Sequence, residues 1–173
     1  MVRITDIVFD VGRVLVDFGY HDLFALLREN GAKVNGIKDF VEKTDLLSYE
    51  YGHISDETFI DNMNRLLTIP VDRTLLISRW VYIFEPISEM LTLASNLKDY
   101  FGVYLLSNTS SLHWDYLLTE YRLDQIGRGA LASFEVGAVK PETKIFREAE
   151  RRFGLTPATT VFIDDIAANA NGA

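Results

Sequence analysis

Four short segments of the 173-residue chain carry side chains fit for chemistry: FDVG around Asp10, LLSN around Ser107, VKPE around Lys140, and FIDD around Asp164 and Asp165. Taken singly, each has an ordinary structural explanation. Asp10 and Gly12 suit a turn, Ser107 and Asn108 suit the start of a helix, Lys140 before Pro141 suits a solvated loop, and Asp165 suits the cap of a helix opening at Ile166. Taken together, three carboxylates, a hydroxyl and an ammonium form a set for a phosphate and a hard divalent cation. Carboxylate oxygens match Mg²⁺, which prefers octahedral oxygen coordination, keeps some water and bridges to substrate phosphate. Without a cation the three aspartates would repel one another and any phosphate, and a metal resolves that conflict.

For these segments to act together the fold must bring them to one place, and the hydrophobic pattern supplies the means. Ile4–Val16 is an apolar, β-branched run punctuated by Asp10 and Gly12, which predicts a buried strand stopping near Asp10. From Tyr20 to Phe84 the periodicity is helical, with no strand expected. A helix over HDLFALLREN closes at Gly31, and a weaker one covers Ile37–Leu47. A third starts at the capping residue Ser55, with an apolar stripe of Phe59, Ile60, Met63, Leu66 and Leu67, and a fourth runs from about Asp72 to Phe84.

After Pro86, read as a first helical turn, helix and strand alternate. Ile87–Leu97, Leu112–Glu120 and Glu142–Phe153 read as helices; Val103–Leu106, Ala130–Phe134 and Thr160–Ile163 read as strands. This alternation predicts an α/β, Rossmann-like parallel sheet covered by helices on both faces. The expected organisation is an α/β core of residues 1–17 and 86–173 and an inserted helical cap of residues 18–85. Each of the four segments then falls at the C-terminal end of a strand, the edge where open α/β sheets bind ligands.

Asp10, Ser107, Lys140 and Asp164-Asp165 resemble, in order, the four motifs of the haloacid dehalogenase-like hydrolases. The stretches VLVDF, YGHISDETF, LLSNTSSLH, SFEVGAVKPE and TVFIDD are similar to a branch of small sugar-phosphate phosphatases with a helical cap, including bacterial α-glucose-1-phosphatases. The resemblance spans essentially the whole chain. It implies that Asp10 attacks phosphorus and forms an aspartyl-phosphate that water hydrolyses. It also implies Mg²⁺ held by Asp10, the backbone carbonyl of Gly12 and Asp165, with Asp164 acting through water or a hydrogen bond. Ser107 and Lys140 are expected on phosphate oxygens, Asn108, Gly12 and Arg13 beside the substrate, and Asn169 as the support of the Asp164-Asp165 loop. Such an arrangement suits phosphoryl transfer, which needs positioning and charge neutralisation above all.

One departure stands out. Most phosphatases of that family carry a second aspartate two residues after the nucleophile to protonate the leaving oxygen, and this chain has Gly12. General acid–base assistance is worth about 10²–10⁴-fold. Either the substrate's leaving oxygen needs little protonation, as with an anomeric sugar hydroxyl, or another group or a water chain substitutes, or the site is weak or silent. Asp17 reads as a polar residue opening the insert, and His113 either reaches substrate or packs in its helix. Two alternatives therefore stand beside the phosphatase: a hydrolytic dehalogenase of the same superfamily, and a non-catalytic binding or regulatory protein. Halide displacement needs no metal, so Lys140 and the paired aspartates favour phosphate.

Composition narrows the partners. Hydrophobic residues make up 48% and charged residues 24%, the balance of a chain with a real core. Seventeen Lys+Arg against 25 Asp+Glu give a net charge of −8, which disfavours nucleic acid and anionic lipid and leaves a small phosphorylated metabolite as the expected partner. With no cysteine and no apolar run of roughly 18 residues, the chain is expected in the cytoplasm. It ends AANANGA soon after the fourth motif, where the resembling proteins continue with another strand and helix, so an open sheet edge is expected.

Overall fold

The computed structural model describes residues 3–173; Met1 and Val2, the start of the expected core segment, lie outside the described residues. In chain order the elements are β1 (Asp6–Phe9), β2 (Val16–Phe18), α1 (His21–Glu29), α2 (Ile37–Thr44), α3 (Leu46–Glu50), α4 (Asp56–Arg65), α5 (Arg73–Val81) and β3 (Phe84–Pro86). They continue with α6 (Ser88–Leu97), β4 (Gly102–Ser107), α7 (Ser111–Glu120), β5 (Gly129–Ala132), α8 (Ser133–Val136), α9 (Thr143–Phe153), β6 (Thr160–Ile163) and α10 (Ala167–Gly172).

The main sheet is parallel in the order β5-β4-β1-β6, with Phe9 in register with Leu105 on one side and Ile163 on the other. The period of two along each strand sorts its side chains between two layers. Ile7, Phe9, Val103 and Leu105 join one apolar cluster, packed with Trp114 and Leu117 of α7; Val8, Tyr104, Leu106 and Leu131 join another, packed with Ile145, Phe146 and Ala149 of α9. Burial of both faces explains the unbroken apolar run of β4. The chain leaves β1, forms β4 and β5 on one side, then returns to β6 on the other. That reversal beside β1 opens a crevice at the strands' C-terminal ends.

The helices between β2 and β3 bury their own cluster, in which Leu23, Leu27, Phe40, Phe59, Met63 and Trp80 are almost completely enclosed. Ser55 caps α4 by accepting from the Thr58 N–H at 3.2 Å, and Asp72 caps α5 by accepting from Thr74 and Leu75. Leu112 and Tyr116 of α7 pack against the same cluster, so the helical segment rests on the helix that follows Ser107.

Several boundaries differ from the sequence reading. The helix expected over Ile37–Leu47 breaks at Asp45, whose φ of 58° is left-handed, a conformation that aspartate tolerates better than most residues. The segment expected to lack strands is entered and left through an antiparallel ribbon, β2 with β3, pairing Val16 with Pro86 and Phe18 with Phe84. Pro86 therefore ends an edge strand instead of opening a helix, as a residue without an N–H can. Phe134, expected in a strand, lies in α8.

Candidate active site

The sheet brings Asp10, Ser107 and Asp164 to one edge, because Asp10 follows β1, Ser107 ends β4 and Asp164 follows β6. Lys140 arrives from the loop before α9 and inserts its ammonium among them. Its Nζ lies 2.7 Å from Asp10 Oδ1, 2.7 Å from Asp164 Oδ2 and 3.1 Å from the Leu106 carbonyl oxygen. Three acceptors match the three ammonium protons, and the Lys140 side chain is only 1% exposed. The solvated-loop reading of this lysine is thereby excluded.

Burial pushes the Asp10 carboxyl up to about 6, against the attraction of Lys140 and the hydrogen bonds from Lys140 and the Val11 N–H. Asp164 also works against burial. The hydrogen bonds it accepts from Lys140, the Ile166 N–H and Asn169, with the Lys140 charge, hold it below the usual carboxylate range. Asn169 Nδ2 lies 3.0 Å from Asp164 Oδ1 and 3.2 Å from Oδ2, and so fixes that carboxylate. It is Asp164, not the expected Asp165, that receives the N–H of Ile166 ahead of α10. Asp165 is exposed, yet one oxygen of each of Asp10, Asp164 and Asp165 falls within 4.8 Å of the others. Three hard oxygen donors so close, with one ammonium between two of them, retain excess negative charge and fit a divalent cation by donor type.

Two residues expected beside the substrate also bond within the protein. The Asn108 side chain is used on Lys140: its Nδ2 donates to the Lys140 carbonyl at 3.0 Å and its Oδ1 accepts from the Lys140 N–H at 2.7 Å. It clamps two motif loops together. Arg13 turns away to pair with Asp17, donates to the Phe18 carbonyl at 2.8 Å and lies over the Phe18 ring, 4.5 Å from its centroid. Asp17 is the polar residue the sequence reading takes it for, tied to Arg13.

A narrow cavity opens beside this constellation, walled by Gly12, Ser107, Asn108 and Thr109 from the sheet edge and by Tyr20 and Glu50 from the helical segment. His113 also borders it, but its ring stacks on Trp80 at 4.1 Å and its Nε2–H donates to the Trp80 carbonyl at 2.9 Å. Burial pushes this imidazole down to about 4, so it is a neutral packing residue. Sequence reasoning missed Tyr20, Glu50, Thr109 and Ser133. Ser133 joins two walls, accepting from the Thr109 N–H at 3.0 Å and donating to the Glu50 carbonyl at 2.7 Å. None of these residues carries a local signal, since the contact between Ser133 and Glu50 links positions 83 residues apart.

A sequence profile of the haloacid dehalogenase-like hydrolases matches residues 7–173, and the chain belongs to that family. Among solved structures it is similar to the HAD family enzyme BT-2542 of Bacteroides thetaiotaomicron in complex with magnesium and inorganic phosphate. There the identity is 25% over 98% of this chain and 88% of the other, with a TM-score of 0.86. A predicted HAD-like family hydrolase of Porphyromonas gingivalis is 27% identical over 98% and 85% of the two chains, with a TM-score of 0.80. A dehalogenase, 18% identical over 99% and 81%, with a TM-score of 0.68, shares the fold.

Proposed function

We propose that this hydrolase is a Mg²⁺-dependent phosphomonoesterase acting through an aspartyl-phosphate on a small soluble phosphate, a sugar phosphate in our reading. The observation that carries it is the buried Lys140 ammonium held between Asp10 and Asp164, with Asp165 within reach of both carboxylates. The magnesium and phosphate bound by the relative from Bacteroides thetaiotaomicron support the same chemistry.

In this reading Asp10, Asp165 and the Gly12 carbonyl hold the metal, with Asp164 behind them; when bound, the ion neutralises phosphoryl oxygens and polarises phosphorus towards attack. Asp10 Oδ1 is engaged by Lys140 and the Val11 N–H, which leaves Oδ2 as the attacking oxygen. The Ser107 hydroxyl, at the end of β4, holds a phosphoryl oxygen, and the Lys140 ammonium, with its protons on protein acceptors, offsets the charge of Asp10 and of the transferring group. Asn108 keeps Lys140 in place and Asn169 keeps Asp164 in place. Residues 1–17 and 86–173 form the catalytic core, and residues 18–85 the cap that selects the leaving group and excludes water.

The test is phosphate release from a panel of sugar phosphates, alongside halide release from haloacids, with and without Mg²⁺. Metal-dependent phosphate release that vanishes in Asp10→Asn is expected. Halide release without metal would replace this reading by a dehalogenase, and phosphate binding without turnover would replace it by a binding protein.

A further inference from the structure

An alcohol leaving as an alkoxide needs a proton, and the hydroxyls lining the cavity, Ser107, Thr109 and the Tyr20 phenol that burial pushes up, are too weak as acids to supply it. Lys140 commits its three protons to Asp10, Asp164 and Leu106. Gly12 offers no side chain, and there is little room for one, since a Cβ there would lie 3.1 Å from Phe18 Cε1. Asp17 is paired with Arg13. The neutral His113 has its Nε2–H on the Trp80 carbonyl. Glu50 is the one carboxyl among the residues lining the cavity.

We propose that Glu50, brought to the cavity by the last residue of α3, is the proton donor to the leaving oxygen and then the base that activates water. This rests on the phosphomonoesterase reading above. The backbone around Glu50 is docked on the core at several points. Its carbonyl accepts from Ser133, which also holds the Thr109 N–H two residues beyond Ser107. On one side of Glu50, the Tyr49 hydroxyl accepts from Ser111 of α7 at 3.1 Å; on the other, Tyr51 donates to Glu142 ahead of α9. Gly52 then passes so close to the Phe134 carbonyl that a Cβ would collide with it.

Burial pushes the Glu50 carboxyl up to about 7, so at neutral pH it is a mixture of acid and carboxylate, suited to both steps. The titratable groups that share its cavity are the Tyr20 phenol, whose ionisation burial and Glu50 oppose, and the neutral His113 ring; Arg13, paired with Asp17, acts on Tyr20 and not on Glu50. Lys140 and Asp10 are not among the residues that line this cavity. In the first step an Asp10 oxygen bonds phosphorus while the bond to the leaving oxygen breaks, and that oxygen takes the Glu50 proton. In the second, water bonds phosphorus and gives a proton to the Glu50 carboxylate. The bond to Asp10 breaks, inorganic phosphate leaves, and both carboxyls return to their starting forms.

The test compares wild type, Glu50→Gln and Glu50→Asp in single-turnover release of leaving group from 2-phosphoglycerol and from p-nitrophenyl phosphate, with Mg²⁺, across pH 5–9. Glu50→Gln should lose about 10²–10⁴-fold on the alkyl ester and much less on the aryl ester, whose leaving group needs little protonation. Glu50→Asp should retain the alkyl ester's pH dependence near 7 at a reduced rate. Equal losses on both esters, or an unchanged pH profile in Glu50→Gln, would overturn the acid–base role alone. Where the wild type turns over only a sugar phosphate, that ester replaces 2-phosphoglycerol with the same expectations, and wild-type enzyme inert towards the sugar-phosphate panel and both esters would overturn the phosphomonoesterase reading and the proposal with it. Carbon-13 titration of the Glu50 carboxyl in the metal-free chain gives a check independent of turnover: a midpoint in the ordinary glutamate range also overturns the proposal.

Discussion

Lys140 joins stability to chemistry at a single side chain. Replacing it with Met leaves the buried Asp10 and Asp164 carboxylates facing each other without a cation, and breaking a buried ion pair by removing one partner costs about 3–5 kcal/mol. Urea denaturation of Lys140→Met should show a loss of that order, together with loss of phosphate release. Glu50 gives a pH signature of its own. Its carboxyl titrates near 7 when folded and near 4.5 when unfolded, so between those values the folded state holds the extra proton and stability falls as pH rises. In metal-free buffer the fall in melting temperature from pH 4.5 to 7 should be shallower in Glu50→Gln; an identical slope in both proteins excludes the perturbed carboxyl. Asp10, Ser107, Lys140 and the aspartate pair were legible because their residue types make a chemically consistent set in chain order. Glu50 was not, since a glutamate at a helix end looks solvated until the fold brings it to a cavity it shares with Tyr20 and Thr109. The uses of Asn108 and Arg13 were hidden for the same reason: an amide or a guanidinium has several partners within reach, and only the fold selects Lys140 and Asp17.

Among the elements, the third to fifth helices set how the helical segment meets the sheet layer. Ser55→Ala and Asp72→Ala each remove an N-cap, at a cost of about 1 kcal/mol that chemical denaturation can measure. Gly52→Ala should do something different. Gly52 holds a φ of 71° against the Phe134 carbonyl, so an added methyl forces the turn after α3 off the core. The expected outcome is a lower kcat, with the helices themselves intact by circular dichroism; full activity would show that Glu50 does not depend on this docking. Elements with several turns of 3.6-residue periodicity and a clear end signal, such as α4 with its capping Ser55 and α9 closed by Gly154, were readable. The ribbon of β2 and β3 was not, because strands of three residues are too short to display alternation. The break at Asp45 escaped because nothing in the apolar spacing of α2 and α3 marks one left-handed residue.

For the molecule as a whole, the parallel sheet and its order of use follow from alternating helix and strand, which is why the fold class was legible before any contact was known. The acidic cluster predicts that metal binding and folding are linked. Mg²⁺ at about 100 times its dissociation constant should stabilise the chain by about 2.7 kcal/mol, seen as a rise in melting temperature that Asp165→Asn diminishes. A melting curve indifferent to Mg²⁺ would remove the cation from the site. The two crossings between the halves, Val16–Phe18 and Phe84–Pro86, are laced together by backbone hydrogen bonds, and the Phe18 and Phe84 rings meet edge to face 6.0 Å apart. Paired in this way, they form one two-stranded ribbon instead of two separate strings, so the helical segment is joined to the sheet layer through a single ordered connection. A proton donor on the far side of that ribbon, as proposed for Glu50, would thus inherit its position from the same backbone that leads out of β1, and its place over the floor of the site would be as well defined as that of a residue in the floor itself.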